Sequence, residues 1–205
     1  MEEETPKIGY SNRDEYWAKW SDGKSGQEIG KQLAKLEHEK EHDSLTGLFN
    51  RRGIENRLEG ECARAKRNRV DFSVLFLDLN GLKIANDTFG HRKGDELLVN
   101  TADALKTRAV DLVGRWGGDE FLVILPNTNE EMAAFPLAKI QKELESRGVS
   151  ASIGIVQWSH ENPIEAISLI EQAEEQMKIA KNEDLLPGER SKGIGVISIE
   201  THGEK

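Results

Sequence analysis

The 205-residue chain holds one cysteine, five prolines, three methionines and 6% aromatic residues, and its 28 lysines and arginines face 37 aspartates and glutamates. Each shortage excludes something. A lone thiol, Cys62, cannot close an internal disulfide, so no disulfide framework holds the fold. A formal charge of −9 repels a polyphosphate strand over most of the surface and argues against a general nucleic-acid-binding surface. No apolar run approaches the roughly 18–20 residues that span a bilayer. The start, Met-Glu-Glu-Glu-Thr-Pro, has neither the basic nor the apolar region of a secretory leader. The expectation is an acidic protein of the reducing cytoplasm, with one domain of ordinary size plus extensions.

Residues 1 to about 25 are polar and turn-rich apart from Tyr16, Trp17 and Trp20. From Gln27 to His42 the pattern turns helical, with Ile29, Leu33 and Leu36 spaced four and three apart among charges. That stretch is shorter than the 3–4 heptads that define a coiled coil, so it reads equally as a linker helix. No sensory domain, repeat or low-complexity segment is visible. The body alternates in type. Helices are expected over 50–67, 82–87, 95–107, 129–147 and 163–182, and strands over 72–77, 111–116, 119–125 and 150–157, with a final edge strand at 193–200. The division is a 1–42 extension and linker helix, a 43–183 functional domain and a 184–205 tail. The fold class is α/β (α+β), a five-stranded, mainly antiparallel sheet flanked by helices.

One run dominates the functional reading: Arg115-Trp-Gly-Gly-Asp-Glu-Phe121. A β-prone stretch precedes it and an apolar one follows, which puts Gly117 and Gly118 at a tight hairpin turn. Glycines let a bulky ligand approach the backbone, and the carboxylates of Asp119 and Glu120 beside them suit a hard cation such as Mg²⁺. Alone, the run is equally a surface hairpin with solvated acids. Asp78 closes the apolar stretch Phe72–Leu77, where an acid needs a partner or a helix to cap.

Further blocks stand in order around this run: Asp43-Ser-Leu-Thr-Gly-Leu-Phe-Asn-Arg-Arg52, Leu77-Asp-Leu-Asn-Gly-Leu-Lys83, Asn86-Asp-Thr-Phe-Gly-His91, Gly94-Asp95, Ser152-Ile-Gly-Ile155 and Ala180-Lys181. Together, from about Asp43 to Lys181, they resemble the GGDEF family of diguanylate cyclases. The resemblance implies a ferredoxin-like palm related to class III nucleotidyl cyclases. It also implies condensation of two GTP molecules into cyclic di-GMP with release of two pyrophosphates, by a homodimer whose half-sites face each other. Mg²⁺ (Mn²⁺ possible) would be held by Asp78, the Leu79 carbonyl and Asp119, with Glu120 nearby.

Lys83 would meet phosphate, and Asn86 and Asp95 would read guanine, since a carboxylate accepts from the donors that guanine offers and adenine does not. Where the family has a second Asp this chain has Asn80, a neutral oxygen ligand. Lys181 matches a phosphate-binding lysine, while Leu185 takes the place of the usual Arg; Arg190 and Lys192 lie beyond it as substitutes. Arg108 and Asp111 stand where the family holds product for feedback inhibition, and equally form an Arg–Asp pair at a helix end; Arg64 is a weaker second arginine for that site. His91 orders its loop. The general base is left open between Asp119, Glu120 and metal activation of the hydroxyl. The remaining alternative is a non-catalytic receptor for GTP or cyclic di-GMP that signals through its N-terminal helix. A sensor or regulatory protein docked on residues 1–42 would supply the activating signal.

Overall fold

The computed structural model defines residues 30–31, 40–106 and 108–183. The chain separates into two compact units, Met1–Glu39 and Lys40–Lys205, and the second carries every element below. Helix α1 (Arg51–Asn68) starts where the Asn50 side chain accepts from the Gly53 amide at 2.9 Å, and stops at Arg69, which takes the left-handed conformation. The rest follow in the order β1 (Phe72–Leu79), α2 (Leu82–Phe89), α3 (His91–Leu105), β2 (Leu112–Gly117), β3 (Glu120–Leu125), α4 (Glu130–Ser146), β4 (Ala151–Trp158) and α5 (Ala166–Glu183).

The four strands lie in the order β2-β3-β1-β4, every neighbouring pair antiparallel, the split β-α-β connectivity of ferredoxin-like folds. All residues of β1 are buried because helices cover both faces of the sheet. Leu75, Leu77 and Leu79 point into a core shared with α3 and α4, whereas Phe72, Val74 and Phe76 point to the other side, against α1 and α5. On that second side Gly154 of β4 lies so close under α5 that a Cβ there would meet the Ala173 carbonyl oxygen and the Met177 amide nitrogen, each at 2.3 Å.

Five strands were expected and the described residues form four; the segment expected to supply the fifth, 193–200, lies outside them. Leu185, Arg190, Lys192 and most of the helical pattern over 27–42 lie outside them too. β1 is longer than the expected 72–77, because Asp78 pairs with both Glu120 and Ser152 and Leu79 pairs with Ala151. α3 begins at His91 rather than Asp95, since Gly90 at φ 84° makes the corner from α2 in one residue. No helix among the described residues is long and apolar enough to cross a membrane.

Candidate functional site

The candidate site gathers where β1 ends beside the β2–β3 turn. Strand register sets Asp78 opposite Glu120 on one side and Ser152 on the other, and the Leu79 amide donates to the Asp119 carbonyl at 2.9 Å. Asp78, Asp119 and Glu120 therefore meet because two non-consecutive strands pair. The Asp78 side chain is 11% exposed, and the ammonium of Lys181, reaching down from α5, donates to its Oδ1 at 2.6 Å. Lys181 was expected at phosphate; in this structure it neutralises an acid of the expected metal set. The close approach at Gly154 holds α5 near enough for that contact.

Glu120 has a carboxyl pushed above its ordinary value. Burial is the largest cause, followed by the negative charges of Glu174, Asp78 and Asp119, with Lys178 pulling the other way. Glu174 and Lys178, themselves an ion pair on α5, escaped the sequence reading because helical spacing alone does not reveal what a helix faces. The raised value means that ionised Glu120 costs the fold stability. That cost is absent below the usual value of 4.5 and grows as pH rises through the raised value. Glu120→Gln is accordingly expected to raise the melting temperature at pH 7 by about 1 °C, since repulsion between partly exposed acids is worth a few tenths of a kcal/mol. The gain should vanish in the same thermal scans below pH 4.5.

The turn is held by Arg115, to which no local pattern assigns a role. Arg115 donates from Nε and Nη2 to the Gly118 carbonyl at 3.1 and 2.7 Å, while its Nη1 reaches the Asp43 carboxylate at 3.3 and 3.4 Å. Gly118 takes φ 42°, a conformation that favours glycine. For Asp43, burial pushes the carboxyl up, but the Thr46 hydroxyl and amide and the Arg115 guanidinium outweigh it and leave the group below its ordinary value. The tight turn falls at Gly118 and Asp119, one residue later than the expected Gly117 and Gly118, because Gly117 ends β2 and pairs with Glu120; the Arg115 guanidinium fixes it.

Asn80 is tied to β4: its amide nitrogens donate to the Ser150 carbonyl and hydroxyl at 2.8 and 3.2 Å, and its Oδ1 accepts from Ser152 at 3.3 Å. Lys83 is exposed in the first turn of α2, which begins at Gly81 without a side-chain cap and so leaves its first amides available to an anion. The Gly90 corner folds α2 against α3 and brings the Asn86 side chain to Gly94, the residue before Asp95. Asp95 lines an open hollow of about 460 Å³ with Arg92, Glu96, Val99 and Asn100. His91 is exposed at the start of α3.

Arg108 and Asp111 lie at the far end of β2, where the arginine grips the carboxylate through Nε and Nη2 at 2.6–3.1 Å and touches the Thr128 hydroxyl at 3.2 Å. The Asp111 side chain is wholly buried. Arg64 pairs with Glu61 at 2.6 Å and reaches Asn127 at 2.9 Å, in the loop that also contains Thr128. Among the described residues no three acidic, histidine or cysteine side chains are gathered into a metal cage. Two carboxylates with a backbone oxygen are a smaller set, and the burial and neighbouring acids that raise Glu120 mark a place where hard oxygen donors would gain from a divalent cation.

The family model described as "Diguanylate cyclase, GGDEF domain" matches residues 40–185. The chain is 38% identical over 151 residues to the bifunctional diguanylate cyclase/cyclic di-GMP phosphodiesterase MucR of Pseudomonas aeruginosa, covering 66% of this chain and 22% of MucR. It is 34% identical over 156 residues to the diguanylate cyclase DgcM of Escherichia coli, covering 72% of this chain and 38% of DgcM. The chain therefore spans well under half the length of these curated relatives. Among solved structures it resembles the diguanylate cyclase SiaD of Pseudomonas aeruginosa, in complex with its activator SiaC, with a TM-score of 0.66 and 32% identity over 84% of this chain and 70% of SiaD. With the signature Gly117-Gly118-Asp119-Glu120-Phe121 at the turn and the family model matching most of its length, the chain belongs to the GGDEF domain family of diguanylate cyclases.

Proposed function

We propose that residues 43–183 are a diguanylate cyclase domain that joins two GTP molecules into cyclic di-GMP. The observation that carries this reading is the meeting of Asp78, Asp119 and Glu120 at adjoining strand ends, with Lys181 against Asp78 and Lys83 exposed beyond the end of β1. In each half of the reaction a 3′-hydroxyl attacks the α-phosphorus of the other nucleotide, a new phosphodiester forms, and the bond to pyrophosphate breaks. Mg²⁺ or Mn²⁺, held by Asp78, Asp119 and the Leu79 carbonyl, would offset charge on the phosphates. Lys83 would take phosphate oxygens as a point charge, as would Lys181 once a metal ion replaces it at Asp78, and Asn86 and Asp95 would read the guanine edge.

Each domain holds one GTP, so turnover requires two copies face to face, and proximity supplies much of the acceleration. The ferredoxin-like connectivity agrees with a palm related to class III nucleotidyl cyclases. We place the protein in the cytoplasm, where GTP is available. A structural relative is described with its activator, and we extend to this chain a regulatory partner acting through residues 1–42. Purified protein incubated with GTP and Mg²⁺ is expected to yield cyclic di-GMP and pyrophosphate; GTP left unchanged with either Mg²⁺ or Mn²⁺ would leave only the receptor reading.

Feedback follows if Arg108 exchanges Asp111 for product phosphate. Added cyclic di-GMP then slows synthesis, and Arg108→Ala relieves the inhibition. The same substitution strips the guanidinium from a buried carboxylate, at about 1–3 kcal/mol of stability. Inhibition curves and thermal melts separate the two effects: an unchanged curve beside a lowered melting temperature assigns the pair to structure alone.

A further inference from the structure

Gly94 sits in the first turns of α3, where an alanine would hold the helix better by about 0.5–1 kcal/mol. Its backbone is helical and not left-handed, so conformation does not call for glycine there. It is buried between Lys93 and Asp95, both exposed. What occupies the space of its missing side chain is the amide of Asn86: a Cβ on Gly94 would meet Asn86 Oδ1 at 2.0 Å, Cγ at 2.9 Å and Nδ2 at 3.2 Å. No other atom stands among the three nearest. Gly60, inside α1, has nothing within 4 Å of its would-be Cβ. Gly94 thus differs from the exposed Gly60 in being buried, and what buries it is Asn86.

We propose that Gly94 is a positioning residue for nucleotide selection: its bare backbone, one residue before Asp95, is the bed on which the Asn86 amide lies in the orientation that reads the base. The inference rests on the reading of Asn86 and Asp95 as the guanine-binding pair. The physical argument is that an Asn side chain is flexible enough to swing away from a new methyl group. A Gly94→Ala chain therefore keeps its fold and moves the amide instead. Loss falls on recognition while stability holds or rises, a split that a merely structural glycine does not produce.

The test uses 3′-deoxy-GTP and 3′-deoxy-ATP with Mg²⁺, which have no 3′-hydroxyl to attack and so report binding without turnover, together with thermal melts. The parent is expected to prefer 3′-deoxy-GTP. Gly94→Ala should weaken that ligand about tenfold, the scale of a lost hydrogen bond to the base. It should leave 3′-deoxy-ATP unchanged and melt no lower than the parent. Asn86→Ala should weaken 3′-deoxy-GTP to a similar degree, and in that background Gly94→Ala should add nothing, because the atom it displaces is gone. Gly60→Ala should bind as the parent does. Parental binding by Gly94→Ala, or a further loss in the double variant beyond Asn86→Ala alone, overturns the assignment. A parent with no preference between the two nucleotides overturns the guanine-binding reading, and this inference with it.

Discussion

Asp119→Ala is expected to lower cyclic di-GMP formation by about 10²–10³-fold or more, the scale on which removal of a charge-stabilising group at a reaction centre acts. The fold should survive. It is the Asp119 backbone carbonyl that accepts the Leu79 amide, and this bond does not depend on the side chain. Asp119 also lies in the turn outside β3, so no strand pairing is lost. Chromatographic product assay with GTP and Mg²⁺, beside circular dichroism of the same preparation, gives the answer. Turnover within a few-fold of the parent, with an unchanged spectrum, would remove Asp119 from the chemistry.

The second large effect concerns a residue with no side chain. Gly154→Ala places a methyl group 2.3 Å from the Ala173 carbonyl oxygen and the Met177 amide nitrogen. Both are backbone atoms of α5, so no rotamer change relieves the contact and the helix itself must lift. Overpacking of this kind costs about 3 kcal/mol, or roughly 6–12 °C in melting temperature for a domain of this size. Lifting α5 also draws Lys181 from Asp78, so the variant is expected to lose activity beyond what its stability explains. Thermal melts and the product assay, run well below the variant's own melting temperature, test both parts. A melting temperature within 2 °C of the parent's would refute the close-packing argument.

Much of this architecture was legible in the sequence, for physical reasons that can be named. The apolar run from Phe72 to Leu77 reads as a buried strand because both faces of β1 are covered. The Gly-Gly pair reads as a turn because Gly118 adopts φ 42°. Register and cross-chain partners were hidden. Asp78 reads as the end of a strand, yet it lies within one and meets Lys181 from the last described helix. Glu174 and Lys178 look like an ordinary solvated pair until α5 is packed over the sheet, and only then does their charge act on Glu120. The Arg115 bridge between Asp43 and Gly118 joins residues that no local pattern connects. α3 starts four residues before the Asp95 that spacing predicts, because a single glycine corner is shorter than the loop the pattern implies.

The position of β1 in the sheet sets the order in which the molecule can be made. The β2–β3 hairpin closes locally, as soon as Leu112–Leu125 is available. β1, although earliest in the chain, lies between β3 and β4 and must wait for partners about 40 and 80 residues downstream, a long-range closure that slows folding. On a ribosome, the nascent chain therefore exposes the mostly apolar β1 without a partner until β3 has been synthesised, and with one open edge until β4 follows. The acids of the site come together at the β1–β3 pairing, whereas Lys181 arrives only with α5, so a chain caught before β4 has its acids in place but an open β1 edge of the kind that invites aggregation.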